Sequence, residues 1–273
     1  MHVQYSLSPL AGRRGITTVH DISFLVGPEW FRAKDRALMS VTVPASVRRA
    51  AKVITVSETS RAEIEQLIPA GRGKTVAIPN ACPPWIETVD PATARARVAA
   101  ELGLSAPYLL TVGTRWPRKN MRLAVDAASG LAPALPHRLI VTGKAGWGDQ
   151  ELGPRGLASG YVDNALLSCL YSAADLYLAP SRHEGFGIPV LEAFRCGCPV
   201  LSSAGGALPE VVADAGVVEP SWEAADWARR IESLVGDPGT LADLRQRGWA
   251  RERRFTWEEA ARLTLDAYEG VMA

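Results

Sequence analysis

Glu184 and Glu192 flank a glycine-rich turn in the run Ser181-Arg-His-Glu-Gly-Phe-Gly-Ile-Pro-Val-Leu-Glu192. The run ahead of it, from Ala174 to Pro180, is almost wholly apolar, as a strand buried on both faces of a parallel sheet is. Residues 188–196 behind the turn read as a helix. Strand, glycine turn and helix start together make an anion site, because the first helical N–H groups have no partner within the helix. Two carboxylates there would repel an anion unless each accepts hydrogen bonds from hydroxyls. A ligand that is part phosphate and part polyol meets both demands, and a nucleotide sugar is such a ligand.

The same strand–helix alternation runs through the chain. Strands are expected at 16–20, 52–56, 74–78, 108–112, 137–142, 158–162, 175–179, 199–202 and 215–218. Between and after them, helices are expected at 31–51, 58–67, 91–102, 120–129, 164–173, 188–196, 222–235, 238–250 and 256–271. Ser57 reads as the N-cap of helix 58–67, with Ser60 and Glu63 as a competing capping pair. Gly103 closes helix 91–102. The first 15 residues look irregular, and the Pro-rich stretch 83–91 looks like a linker. Alternation of this kind gives an α/β fold with parallel sheets covered on both faces. The expected division is 1–105, with about three strands, then 106–255, a complete doubly wound domain, then a closing helix at 256–273.

Composition narrows the function classes. The chain has 273 residues, 47% hydrophobic and 22% charged, which suits a sizeable core. A net charge of +1 offers no field for nucleic acid. Cys82, Cys169, Cys196 and Cys198 form no CxxC pair and have no His at zinc-ligand spacing, so they read as reduced, buried thiols in a reducing compartment. No apolar run approaches the roughly 18 residues of a membrane span, and no signal peptide opens the chain. Asp-x-Asp, P-loop, Gly-x-Ser-x-Gly and His-Glu-x-x-His patterns are absent, so no metal site is drawn.

In open α/β sheets ligands lie beyond the carboxyl ends of the strands. His20, the loop Gly113–Lys119, Gly143 and Ser181–Glu184 all follow expected strand ends and should crowd one edge. Arg115 and Lys119 flank a helix start, which suits a diphosphate clamp. Glu192 sits among apolar neighbours, and a buried carboxylate needs donors. A lone histidine at a strand end, such as His20, carries no assignment by itself.

Taken together, Thr18-Val-His-Asp-Ile-Ser-Phe24, Val53-Ile-Thr-Val-Ser-Glu-Thr-Ser60, Ile78-Pro-Asn80, Val112-Gly-Thr-Arg115 with Arg118-Lys-Asn120, Gly160-Tyr-Val162, Leu170–Asp175, the Pro180–Ala193 run and Pro209-Glu210 resemble the family 4 retaining glycosyltransferases of GT-B fold, in particular mannosyltransferase-like members. The resemblance implies two Rossmann-like lobes with parallel sheets. It implies Glu184 on donor-sugar hydroxyls near the reacting carbon, with His20 of the N-terminal lobe also facing the sugar. It places Glu192 on the ribose, Arg115 and Lys119 on the diphosphate, backbone N–H groups of Gly185, Phe186 and Gly187 beside them, and the Tyr161-Val162 backbone near the base. It implies metal-independent transfer with retention at the anomeric carbon, with no cofactor and a GDP- or UDP-hexose as co-substrate. The implied acceptor is a glycan or a lipid-linked acceptor. The implied location is the cytoplasm, with peripheral contact at the inner membrane face.

The family's N-terminal lobe is longer. Its members have a complete Rossmann-type lobe there, and relative to them roughly 80–100 residues are missing here, including the first strand and its glycine-rich loop, so this lobe is expected to be incomplete. A misplaced start, a gene fragment, or a complementing N-terminal chain each accounts for that. The alternative function is a non-catalytic nucleotide-sugar-binding remnant or partner subunit.

Overall fold

Every strand pairing, among the residues described, is parallel. The computed structural model describes residues 1–8, 14–146 and 151–272. It forms two compact units: residues 1–81, 183–186 and 255–273, and residues 82–182 and 187–254.

The first unit holds β1 (His2–Gln4), β2 (Ile16–Thr18), α1 (Ser23–Val26), α2 (Ala33–Arg49), β3 (Lys52–Thr55), α3 (Glu58–Leu67) and β4 (Thr75–Ala77). Its sheet runs in chain order, β1-β2-β3-β4. Side chains alternate across the sheet, so Val53 and its neighbour Ile54 enter different cores. Val53 packs with Val43, Val47 and Ile64 of the helices α2 and α3. Ile54 packs with Ile16, Ile78 and Ala267. β1 falls in the stretch expected to be irregular, of which residues 9–13 lie outside the described residues. Its three residues are too few to show a period, and they are fixed by pairing with β2. Ser57 caps α3 as expected, its side chain accepting from Ser60 N. Glu63 bonds to His183 instead of capping.

The second unit contains α4 (Pro91–Leu102), β5 (Tyr108–Val112), α5 (Met121–Ser129), β6 (Arg138–Thr142), β7 (Gly156–Gly160), α6 (Asn164–Ala173), β8 (Leu176–Ala179), α7 (Ile188–Arg195), β9 (Val200–Ser203), α8 (Leu208–Val212), β10 (Val217–Glu219), α9 (Ala224–Val235) and α10 (Pro238–Glu252). The last helix, α11 (Trp257–Met272), belongs to the first unit. Asp90 caps α4 by accepting from Thr93 N, Pro91 occupies its first turn, and Gly103 ends it in the left-handed region. α4 packs against α6, so the boundary between units falls at Ala81/Cys82, ahead of this helix.

The second sheet has the order β10-β9-β8-β5-β6-β7. From β5 the chain winds outward through β6 and β7, then returns to build β8, β9 and β10 on the other side. The winding direction reverses between β5 and β8, which is where such a sheet opens a crevice beyond its strand ends. β8 is buried along its whole length. Gly160, at φ 70°, ends β7 two residues earlier than expected, so Tyr161 and Val162 lie just past the strand.

Candidate functional site

The two loops at the reversal point are tied together. Arg182 N donates to Arg118 O at 2.8 Å, and Asn120 Nδ2 donates to Pro180 O at 3.2 Å. Asn120 takes a left-handed conformation at φ 49°, which asparagine tolerates better than most residues. The loops after β5 and β6 also interlock. Gly113 N donates to Thr142 O, and Arg115 N to Lys144 O. A Cβ on Gly143 would lie 2.2 Å from Gly113 O, so only glycine fits at that crossing.

Glu192 lies in α7 and is 9% exposed. Its Oε2 accepts from the Tyr171 hydroxyl at 2.8 Å. Burial pushes the Glu192 carboxyl above its ordinary 4.5, while the Tyr171 hydrogen bond and the Lys119 charge pull it back. Tyr171 is fully buried, which raises its hydroxyl well above 10 and keeps it a donor. Lys119 runs beside Gly113, where a Cβ would sit 3.5 Å from Lys119 Cε. Lys119, Glu192 and Tyr171 therefore form one electrostatic group. Arg115 lines a cavity with Trp116, Arg122 and Arg182, of which Lys119 is not a wall. Gly187 caps α7 at φ 101°, and no side chain caps that helix; Pro189 has no N–H, and Val190 N donates to Gly187 O at 2.9 Å. Tyr161 is 74% exposed, and Lys144 Nζ lies 5.5 Å from its ring centroid.

In the first unit, His20 follows β2 and is half-buried, in tilted contact with Tyr5 at 5.7 Å between centroids. Burial lowers its imidazole below the ordinary 6.5, opposed by the charge of Asp21. Asp21 is held in turn by Ser23, whose N and Oγ donate to Oδ1 at 2.9 and 2.5 Å. Glu184 is 9% exposed. The Gly185 backbone packs against His20, since a Cβ there would lie 2.6 Å from His20 O. Phe186 meets Phe255 edge-on at 5.5 Å. Thus His20, Glu184, Gly185 and Phe186 fall in the first unit, and Arg115, Lys119, Tyr161, Val162, Gly187 and Glu192 in the second.

Tyr171, Asn120 and Lys144 carry site geometry that was not assigned from sequence. A donor for Glu192 was expected, but Tyr171 lies 21 residues away and no spacing marks it. All four cysteines are buried free thiols, and burial pushes Cys82 and Cys196 up to about 12, which makes them unreactive. Among the described residues, no cluster of three metal-ligating side chains occurs, and no helix is long and apolar enough to cross a membrane.

Comparison with known proteins adds to this geometry. The family described as Glycosyl transferases group 1 matches residues 95–251. The O-antigen chain mannosyltransferase B of Escherichia coli is 35% identical, over 94% of this chain and 70% of that protein. A D-inositol 3-phosphate glycosyltransferase of Segniliparus rotundus is 31% identical, over 93% of this chain and 66% of that protein. Among solved structures, sucrose-phosphate synthase of Thermosynechococcus elongatus matches with a TM-score of 0.78 at 26% identity, covering 95% of this chain and 68% of its own. Anabaena HepE in complex with UDP and glucose matches with a TM-score of 0.78 at 22% identity, covering 94% and 72%, a likeness of fold.

Proposed function

Because this chain belongs to the glycosyl transferases group 1 family and has the α/β, parallel-sheet fold of GT-B glycosyltransferases, we propose that it transfers a mannose-like hexose from a nucleoside diphosphate sugar to a glycan or lipid-linked acceptor, with retention of anomeric configuration. The observation that carries the donor reading is the group formed by Glu192, Tyr171 and Lys119, with Glu192 in a helix whose start no side chain caps. A carboxylate held by one buried donor accepts further hydrogen bonds from ribose hydroxyls. The ammonium and the helix start supply the positive potential that a diphosphate requires.

In this reading Lys119 and Arg115, with the N–H groups of Gly185, Phe186 and Gly187, hold the diphosphate and stabilise the charge that develops as the nucleotide leaves. The Tyr161-Val162 backbone lies beside the base. Glu184 accepts hydrogen bonds from the sugar, and neutral His20 contacts it. The acceptor attacks the face from which the nucleotide departs, through an oxocarbenium-like transition state, with no covalent intermediate on the enzyme. The relationship to an O-antigen chain mannosyltransferase supports mannose as the sugar, and GDP-mannose is the donor this reading takes.

Calorimetric titration with GDP, UDP and ADP, each alone and as its sugar conjugate, tests the proposal. Tightest binding of GDP and GDP-mannose is expected. Glu184→Ala is expected to weaken GDP-mannose and leave GDP unchanged. Binding of none of the six, by a folded chain, would remove the donor reading.

A further inference from the structure

Glu184 is gripped through both of its chain neighbours. On one side, the Gly185 carbonyl accepts from Ser57 Oγ at 2.7 Å and from Ser60 Oγ at 3.2 Å. On the other, His183 is 2% exposed, and its Nε2 lies 2.9 and 3.0 Å from the two carboxylate oxygens of Glu63. The Trp30 ring lies 6.4 Å from the His183 ring, tilted by 34°. Ser60 and Glu63 stand three apart on α3 and so share one face. One short helix therefore holds residues 183 and 185 together, and the backbone between them has little freedom left to redirect the Glu184 side chain.

An apolar side chain of similar volume in place of His183 would fill the space without a polar group to satisfy. What the Glu63–His183 contact adds is direction, because both oxygens of one carboxylate share a single ring N–H and so fix the plane of the imidazole.

We propose that Glu63 and His183 are a positioning pair that orients Glu184 toward the donor sugar, neither of them touching the sugar. The inference rests on the reading of Glu184 as a sugar-binding carboxylate. The quantity it governs is the sugar increment, the ratio of the GDP and GDP-mannose dissociation constants. Glu63 acts through Glu184, so its removal changes the increment and spares GDP itself.

The test is calorimetric titration of the full chain with GDP and GDP-mannose for the wild type, Glu63→Ala, Glu184→Ala and the double variant. Glu63→Ala is expected to cut the increment by about tenfold, within the usual range for coupled residues, with the GDP dissociation constant unchanged. In the Glu184→Ala background the same substitution is expected to be silent. His183→Gln, whose amide nitrogen takes roughly the place of Nε2, is expected to restore most of the increment lost in His183→Ala. Should Glu63→Ala not fold, Glu63→Asp keeps the charge but draws the carboxylate back by one methylene, and it carries the same expectation.

An intact increment in the Glu63 variants, with Glu184→Ala still losing it, would overturn the proposal alone. So would additive losses in the double variant, or parallel losses of GDP and GDP-mannose affinity. An intact increment in Glu184→Ala, or no binding of either ligand by the folded wild type, would overturn the underlying reading of Glu184 as well.

Discussion

The Tyr171 hydroxyl donates to Glu192 Oε2 at 2.8 Å, with both side chains buried in the second unit. One hydrogen bond and the charge of Lys119 offset only part of the cost of burying this carboxylate, since its pKa remains above 4.5. The ionised Glu192 carboxylate is thus a net cost to the stability of the fold.

That cost has a pH signature. Below 4.5 the carboxyl is protonated in folded and unfolded chains alike and carries no penalty. As pH rises through the folded pKa the buried group must ionise, and stability is lost across that window, by about 1.4 kcal/mol for each unit of separation. Glu192→Gln removes the titration. Its unfolding free energy relative to wild type is expected to rise from about pH 4.5 upward and then level off. Denaturant unfolding across the acid-to-neutral range measures this, and a difference independent of pH would refute it.

His20 has the opposite sign. Its folded pKa is depressed, so its contribution to stability is fully present above 6.5 and is lost as pH falls through the folded value. The ring is expected to be neutral at pH 7. Its proton resonances, assigned by comparison with His20→Asn, should titrate with a midpoint below 6.5. A midpoint at or above that value would contradict the burial argument.

Lys119→Ala should weaken GDP and GDP-mannose alike, by about 1.5–3 kcal/mol if the lost contact is a charge-assisted hydrogen bond. It should also raise the Glu192 pKa further, because the Lys119 charge holds that pKa down. Unchanged GDP affinity would take Lys119 out of the diphosphate clamp.

Gly143→Ala tests the interlocked loops. The added methyl would meet Gly113 O at 2.2 Å on a backbone at φ 134°, which should cost about 2–5 kcal/mol from strain and overpacking together. Gly160→Ala, at φ 70° with open space around it, should cost only about 1–2 kcal/mol. Urea midpoints of the two variants give the comparison, and equal losses would mean the crossing yields easily.

Local signals were legible in the sequence to the extent that they were local. The Ser57 cap of α3, the Gly103 end of α4 and the buried run of β8 each rest on a few adjacent residues and the chemistry between them. The meeting of the loops after β5, β6 and β8 within the second unit was also legible, because parallel alternation puts them at one edge. The second tasks of the same residues were not. Ser57 also donates to Gly185 O, 128 residues away, and Glu63 bonds to His183, 120 residues away. The local pattern for Glu63, a capping partner three residues after a serine, pointed elsewhere. Tyr171 had no local mark at all, since a tyrosine on a buried helix face reads as core.

Residues 183–186 pack with the first unit, though the chain on either side of them packs with the second. This places a limit on dissection. A fragment cut at 82 and 254 would keep the β5–β10 sheet and the coding sequence for Glu184, yet would lack Ser57, Ser60 and Glu63, which hold its neighbours. No single contiguous excision separates the β5–β10 sheet from the rest without setting that loop adrift. Swapping lobes between relatives to alter donor choice therefore calls for exchanging α3 and the 183–186 loop as one cassette, even though more than a hundred residues separate them along the chain.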